Sequence, residues 1–212
     1  IIVIQHFFVM SSITFYGCEI EIYKSFISEE YSVSLFNLLK SETEWVQNDI
    51  VIYGKKHKIP RLNNWYGSVN MNYSNINFES KPLTKTLDKI RKKIEQETSS
   101  CYNSVLMNLY RNGNDSMGWH SDDENIYNPI APIASLSLGG SRWMKFKKKT
   151  KKGLGKKTLK LRLKTGDLIL MKHPTQEILK HSIPKSATDI EERINLTFRS
   201  VIEKKDAFKI KY

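Results

Sequence analysis

Arg193-Ile-Asn-Leu-Thr-Phe-Arg199 is the stretch that decides the fold class. Side chains of an extended strand point alternately to its two faces. Arg193, Asn195, Thr197 and Arg199 therefore share one side, and Ile194, Leu196 and Phe198 the other. A solvated basic face would explain two arginines but not the apolar backing. The better reading is a core strand whose polar face holds an anion. Working upstream, further strands are expected at Ile20 to Tyr23, Ser104 to Tyr110, Ala131 to Leu138, Arg142 to Phe146, Thr158 to Leu163 and Asp167 to Met171. Gly139-Gly140 and Thr165-Gly166-Asp167 mark turns between them.

Two helices precede this β-rich region. One is expected over Glu29 to Lys40, with Ser28 as N-cap and Val33, Phe36 and Leu39 inward. Another starts near Pro82, with Leu83, Leu87, Ile90 and Ile94 on one face. Two helices followed by about six strands give an α+β class: a double-stranded β-helix (jelly roll) with the two N-terminal-half helices packed on one sheet.

The chemistry starts from Gly118-Trp-His-Ser-Asp122 and His181, which lies about sixty residues further on. A His-x-Asp pair plus a distant His is the spacing of a facial triad for Fe(II), with open positions left for a cosubstrate and dioxygen. The downstream arginines offer forked, permanently charged partners for carboxylates. Iron with a dicarboxylate suggests an oxygenase that consumes 2-oxoglutarate. Asn108 and Tyr110 share a strand face by the same period of two.

Composition sets the frame. The 212 residues suit one domain with a substantial core. With 40% apolar and 11% aromatic residues the chain reads as globular. Cys18 and Cys101 form no CxxC and no disulfide framework, which fits a reducing intracellular setting, the nucleus if the source is eukaryotic. The apolar run Ile1 to Met10 is too short to span a bilayer and lacks a signal's basic start. The chain does not begin with Met and reads as a fragment. Of the net charge of +12, the segment Lys145 to Lys164 supplies +11, from ten lysines and Arg162 with no acid, leaving +1 for the rest. A nearly neutral protein with one intensely basic hairpin points to a polyanion, nucleic acid before an anionic membrane or a solvated loop. The hairpin is expected to have its tip at Lys147 to Lys157.

The ordered set Ile59-Pro-Arg-Leu-Asn-Asn-Trp-Tyr-Gly67, Asn108-Leu-Tyr110, Gly118-Trp-His-Ser-Asp122-Asp-Glu, Pro132-Ile-Ala-Ser-Leu-Ser-Leu-Gly139, His173-Pro-Thr, His181-Ser-Ile-Pro and Arg193 to Arg199 resembles the AlkB family of Fe(II)- and 2-oxoglutarate-dependent nucleic-acid dealkylases. The resemblance runs from about Ile50 to Val201, and Tyr53-Gly54-Lys55 looks most like the branch that repairs double-stranded DNA. It implies a single dioxygenase domain over 1–212, made of an N-terminal extension (1–49), a nucleotide-recognition region (50–80) and a jelly-roll core (104–201).

The resemblance also implies roles residue by residue. His120, Asp122 and His181 bind iron. Arg193, with Tyr110 and Asn195, clamps the distal carboxylate of 2-oxoglutarate, while Asn108, Thr197 and Arg199 serve the end that chelates the metal. Tyr73 and Ser74 receive a flipped base, Asp123 and Glu124 read it, and Tyr53 fills the vacated stack beside Gly54 and Lys55. The implied reaction is oxidative demethylation of 1-methyladenine or 3-methylcytosine in DNA, with release of formaldehyde. The protein is expected to be a monomer that binds double-stranded DNA through the Lys-rich hairpin and does not bind membrane. Asn75 and a short segment up to Pro82 depart from the family pattern, as does a Tyr rather than a Phe finger. The rival readings are the same chemistry on RNA or protein, and a catalytically idle nucleic-acid-binding module.

Overall fold

In a computed structural model of the chain, residues 8–52, 54–73, 76–188 and 190–202 are described. The chain opens with a hairpin, β1 (Val9–Phe15) and β2 (Cys18–Lys24), turning through Tyr16 and Gly17, both at positive φ. Helix α1 (Glu29–Glu42) follows, its first turn capped by Ser28 Oγ, which accepts from the Tyr31 N–H at 3.2 Å. Then come β3 (Asp49–Ile52), β4 (Lys55–Lys58), β5 (Leu62–Gly67), β6 (Met71–Tyr73) and β7 (Ile76–Phe78). Helix α2 (Lys85–Thr98) is capped by Thr84. The remainder is β8 (Ser104–Tyr110), β9 (Met117–His120), β10 (Ile133–Gly139), β11 (Arg142–Thr150), β12 (Gly153–Leu154), β13 (Leu159–Leu163), β14 (Leu168–Met171), the one-turn α3 (Thr175–Ile178), β15 (Leu179–Ile183) and β16 (Arg193–Arg199).

Two sheets make the jelly roll. The larger runs β1-β2-β14-β10-β16-β8-β5, and the smaller places β11 between β15 and the β12/β13 edge, with β9 beyond β15. Pairing along the larger sheet is antiparallel throughout. Ile194, Leu196 and Phe198 pack on the helix side with Leu35, Leu39, Leu87, Ile90 and Ile94. The opposite face of that sheet meets Met144, Phe146, Leu161, Leu163 and Leu179 of the smaller sheet. Both faces of β16 are therefore covered, which is why its polar alternates are as buried as its apolar ones.

The inward face of α1 differs from the expected one. Leu35 and Leu39 are buried, whereas Val33 is 53% exposed. The helix leaves the Ser28 cap rotated so that Ser32 and Leu35, one turn apart, face the sheet. The alternation in the sequence does not reveal β1, the five short strands from β3 to β7, β9, β12 or the bounds of β15. The two cysteines are unpaired, Cys18 buried and Cys101 exposed. Among the described residues no helix is long and apolar enough to cross a membrane.

Candidate active site

His120 ends β9 and His181 sits in β15, and the two are direct partners in the ladder. Cross-strand partners on one face meet, so their rings lie 4.1 Å apart. Asp122 follows two residues after His120. Its backbone N–H donates to Gln176 Oε1 at 3.0 Å, and its carboxylate lies 3.7 Å from His120 Nε2 and 4.0 Å from His181 Nε2. One ligand atom from each residue lies within 4.8 Å of the others. His120 Nδ1 pairs with the Gly118 carbonyl at 2.9 Å, which as an N–H donor fixes the tautomer that leaves Nε2 for a metal. Burial, then the neighbouring His120, push His181 down to about 3, so its lone pair is free at neutral pH. Two neutral imidazoles and one carboxylate converging this way fit Fe(II).

Asp122 is held from behind. Arg199 Nη2 donates to its Oδ2 at 2.8 Å, and both side chains are buried. Burial alone would raise the carboxyl, but Arg199, His181 and His120 outweigh it and hold Asp122 well below the usual carboxylate range.

The anion end lies on the facing sheet. Arg193 pairs in register with Tyr110, and Asn195 with Asn108. Arg193 Nη2 donates to Ser137 Oγ at 2.9 Å, and its guanidinium lies 5.4 Å from the Tyr110 ring. Its Nε and Nη1 are buried with no hydrogen-bond partner among the described residues. Burial pushes its pKa down to about 10, so it still carries its charge at neutral pH. A buried cation with two unused donors is costly unless an anion completes it, and a carboxylate supplies both the opposite charge and the acceptors. One pocket joins this end to the triad, lined by His120, Asp122, His181, Asn108, Tyr110, Arg193, Asn195, Thr197 and Arg199.

Both N–H groups of the Asn195 amide are engaged. Its amide donates to Ser135 Oγ and the Leu136 carbonyl, and its Oδ1 accepts from Thr197 Oγ1 at 3.1 Å. It braces the pocket wall between Arg193 and Thr197. Four residues were missed by sequence reasoning: Arg61, Ser137, Gln176 and Arg142. Arg61 Nε donates to Asn108 Oδ1 at 2.9 Å, and Arg61 lines the pocket. It stands in the Pro-Arg motif already noted, so a signal existed without a role attached. Arg142 sits 5.3 Å from the Tyr110 ring and donates to the Asn112, Asp115 and Pro184 carbonyls.

The residues expected to meet substrate are placed less completely. Tyr53, Ser74 and the Tyr73 side chain lie outside the described residues. Gly54 is exposed at φ +77 in the tight turn between β3 and β4, and Lys55 is exposed at the start of β4. Asp123 is turned outward to Lys149 Nζ at 2.9 Å and does not line the pocket. Glu124 is largely buried, and its Oε2 has no hydrogen-bond partner among the described residues. Burial, then the Asp122 charge, push it up to about 7.

The basic segment also differs from expectation. Lys147 to Thr150 are not a tip: β11 continues to Thr150 because β15 pairs with its far edge from Lys145 to Lys148. Lys149 is drawn to Asp123 and the Gln176 carbonyl. The turn is confined to Lys151-Lys152 before β12.

Comparison with known proteins agrees with this geometry. A family model described as the 2OG-Fe(II) oxygenase superfamily matches residues 19–199. A cattle (Bos taurus) protein named alpha-ketoglutarate-dependent dioxygenase alkB homolog 3 is 37% identical over 182 residues, 83% of this chain and 64% of that one. The human protein named DNA oxidative demethylase ALKBH2 is 33% identical over 177 residues, 79% of this chain and 68% of that one. This chain therefore spans just under two thirds of the cattle relative's length. A solved structure titled "The structure of OsALKBH1" superposes with a TM-score of 0.60 at 13% identity, covering 88% of this chain and 99% of that one, which supports the fold.

Proposed function

We propose that this chain, which belongs to the AlkB family of the 2OG-Fe(II) oxygenase superfamily, is an oxidative demethylase of N-alkylated bases in nucleic acid. The observation that carries the reading is a single pocket with a convergent His-Asp-His set at one end and, at the other, a buried Arg193 guanidinium with two donors unpartnered among the described residues. His120, Asp122 and His181 would hold Fe(II), and Arg193 would take the distal carboxylate of 2-oxoglutarate. Iron, 2-oxoglutarate and dioxygen together supply oxidation of an N-methyl group, which then leaves as formaldehyde.

The protein's own part is binding, orientation and exclusion of water. Ser137 and Tyr110 orient Arg193, Arg199 keeps Asp122 ionised and aimed, and Gly118 sets the His120 tautomer. No side chain need act as a general base. Phe146, 6.0 Å from the His181 ring, and Met144, Met171 and Ile183 supply the apolar part of the pocket wall.

The substrate expected is 1-methyladenine or 3-methylcytosine in double-stranded DNA. Residues 50–80 would form the recognition region within a single dioxygenase domain, acting as a monomer. Tyr53 would be the wedge beside Gly54 and Lys55, Tyr73 and Ser74 would line the base pocket, and Glu124 would read the base, joined by Asp123 once it leaves Lys149. An ionised carboxylate accepts from an exocyclic amine. Support comes from the printed name of the human relative, a DNA oxidative demethylase, and from the charge of the Lys145 to Lys164 hairpin. The expected location is an intracellular compartment that holds DNA, the nucleus where there is one.

The test is to reconstitute the chain anaerobically with Fe(II) and 2-oxoglutarate, admit air, and follow methyl loss from single-stranded and duplex 1-methyladenine oligonucleotides by mass spectrometry. Demethylation of duplex at least as fast as single strand supports the reading. Cosubstrate consumption with no demethylation would keep the iron site and move the substrate to RNA or protein.

A further inference from the structure

The outer face of the smaller sheet has a composition the active site does not explain. Alternation along β11 sends Met144 and Phe146 into the core and Trp143, Lys145 and Lys147 to the other side. On β13, Leu161 and Leu163 face in, so Lys160 and Arg162 share the outer face. In register, Trp143 stands opposite Arg162 and Lys145 opposite Lys160. On the other edge of β11, Lys147 stands opposite Lys180. Like charges directly across a ladder repel, and here two such pairs lie side by side. None of these lysines has an ion-pair partner among the described residues, and β9, β11, β12, β13 and β15 contain no acid at all.

Aromatic rings sit at both ends of this charged face. Trp143 is 47% exposed, with the Arg162 guanidinium 6.0 Å from its ring. Two strands away, half-buried Trp119 has Lys147 Nζ 5.6 Å from its ring. Through the ladder Trp119 is close to level with Ser182 and Lys145, two residues along from Trp143, so the two tryptophans are about 7 Å apart along the strand and about 10 Å across it, a diagonal of about 12 Å. At about 3.4 Å per stacked nucleotide, that is room for about three or four. Uncompensated cations beside one exposed and one half-buried indole match a single strand, whose phosphates meet the cations and whose unpaired bases stack on the rings. A duplex offers phosphates but no free base faces.

We infer that the outer face of the β13-β11-β15-β9 sheet, from Trp143 to Trp119, is an auxiliary binding surface for single-stranded nucleic acid. It rests on the nucleic-acid reading above. It adds a site on the sheet surface outside the metal pocket, and it assigns the basic residues to a rigid face instead of a loop tip.

The test uses the full chain without iron or 2-oxoglutarate and an unmodified fluorescein-labelled dT10. Anisotropy gives affinity at several salt concentrations, and tryptophan fluorescence reports stacking. Trp143→Ala is expected to weaken binding about tenfold and to remove much of the quench. Lys160→Glu gives Lys145 an opposite charge, so the variant should fold at least as well while the salt slope flattens by about one. Wild-type affinity and salt slope in both variants would overturn the surface. Binding of a matched duplex as tightly as dT10, with no quench, would overturn its single-strand character. Demethylation by the wild-type chain is measured separately. If it proceeds while the variants bind normally, this inference fails and the function stands; if dT10 binding behaves as expected but no methylated base is turned over, the reverse holds.

Discussion

Arg199 Nη2 lies 2.8 Å from Asp122 Oδ2, which makes a metal-facing carboxylate half of a buried ion pair. Breaking such a pair from one side leaves a buried charge alone, at a cost of about 3–5 kcal/mol. Arg199→Gln is therefore expected to lower stability by about that much in chemical denaturation. It should also weaken retention of Mn(II), a redox-quiet substitute for Fe(II), by at least about tenfold in a competition titration. Wild-type stability and metal retention in this variant would refute the holding role.

Arg193 makes the opposite prediction. Its Nε and Nη1 have no hydrogen-bond partner among the described residues, so its charge waits for a ligand. Hydrogen bonds to a charged group contribute about 1.5–3 kcal/mol. Arg193→Gln should therefore raise the KM for 2-oxoglutarate about ten- to a hundredfold, with little loss of melting temperature. An unchanged KM in steady-state succinate assays would remove Arg193 from the cosubstrate site.

The Gly139-Gly140 turn between β10 and β11 packs closely on the segment that leads into Arg193. A Cβ on Gly140 would collide with the Glu191 carbonyl, and Gly139 sits at φ +80. Gly140→Ala must push back Glu191, at a cost of about 1–3 kcal/mol. The expected result is a lower melting temperature together with a raised KM for 2-oxoglutarate, because Arg193 begins the displaced strand. A destabilised variant with normal KM would show that the turn relaxes without moving β16.

How far the sequence was legible depended on periodicity. The alternation in 193–199 revealed β16, and with it the polar and apolar sides of the larger sheet. The His-x-Asp spacing gave the triad. Short strands of the smaller sheet were hidden: Leu179-Lys-His-Ser-Ile183 carries no clean alternation, since Ser182 is buried beside a register shift. In the sequence β11 reads as ending at Phe146, whereas pairing with β15 carries it to Lys148 and pairing with β12 to Thr150. Lys147 and Lys148 look like a loop in sequence because lysine disfavours strands, and only the neighbouring ladder overrides that. Arg61 was out of reach because its partner, Asn108, is far away in sequence.

The last prediction concerns pH, through Asp115 outside the pocket. Burial would raise this carboxyl, but Arg111, through two side-chain bonds at 2.8 and 2.9 Å and its backbone N–H, holds it below its ordinary value of 3.8. A carboxyl with a depressed folded pKa adds stability above the unfolded value and loses it as pH falls through the folded one. Arg111 is partly exposed, so the pair contributes only about 1 kcal/mol. The stability gap between wild type and Asp115→Asn should thus be constant from about pH 5 to 8 and close as pH falls below 3.8. Urea denaturation across that range checks it. A gap that widens toward acid, or persists unchanged through it, would mean that Asp115 contributes as a hydrogen-bonding shape and its charge is incidental.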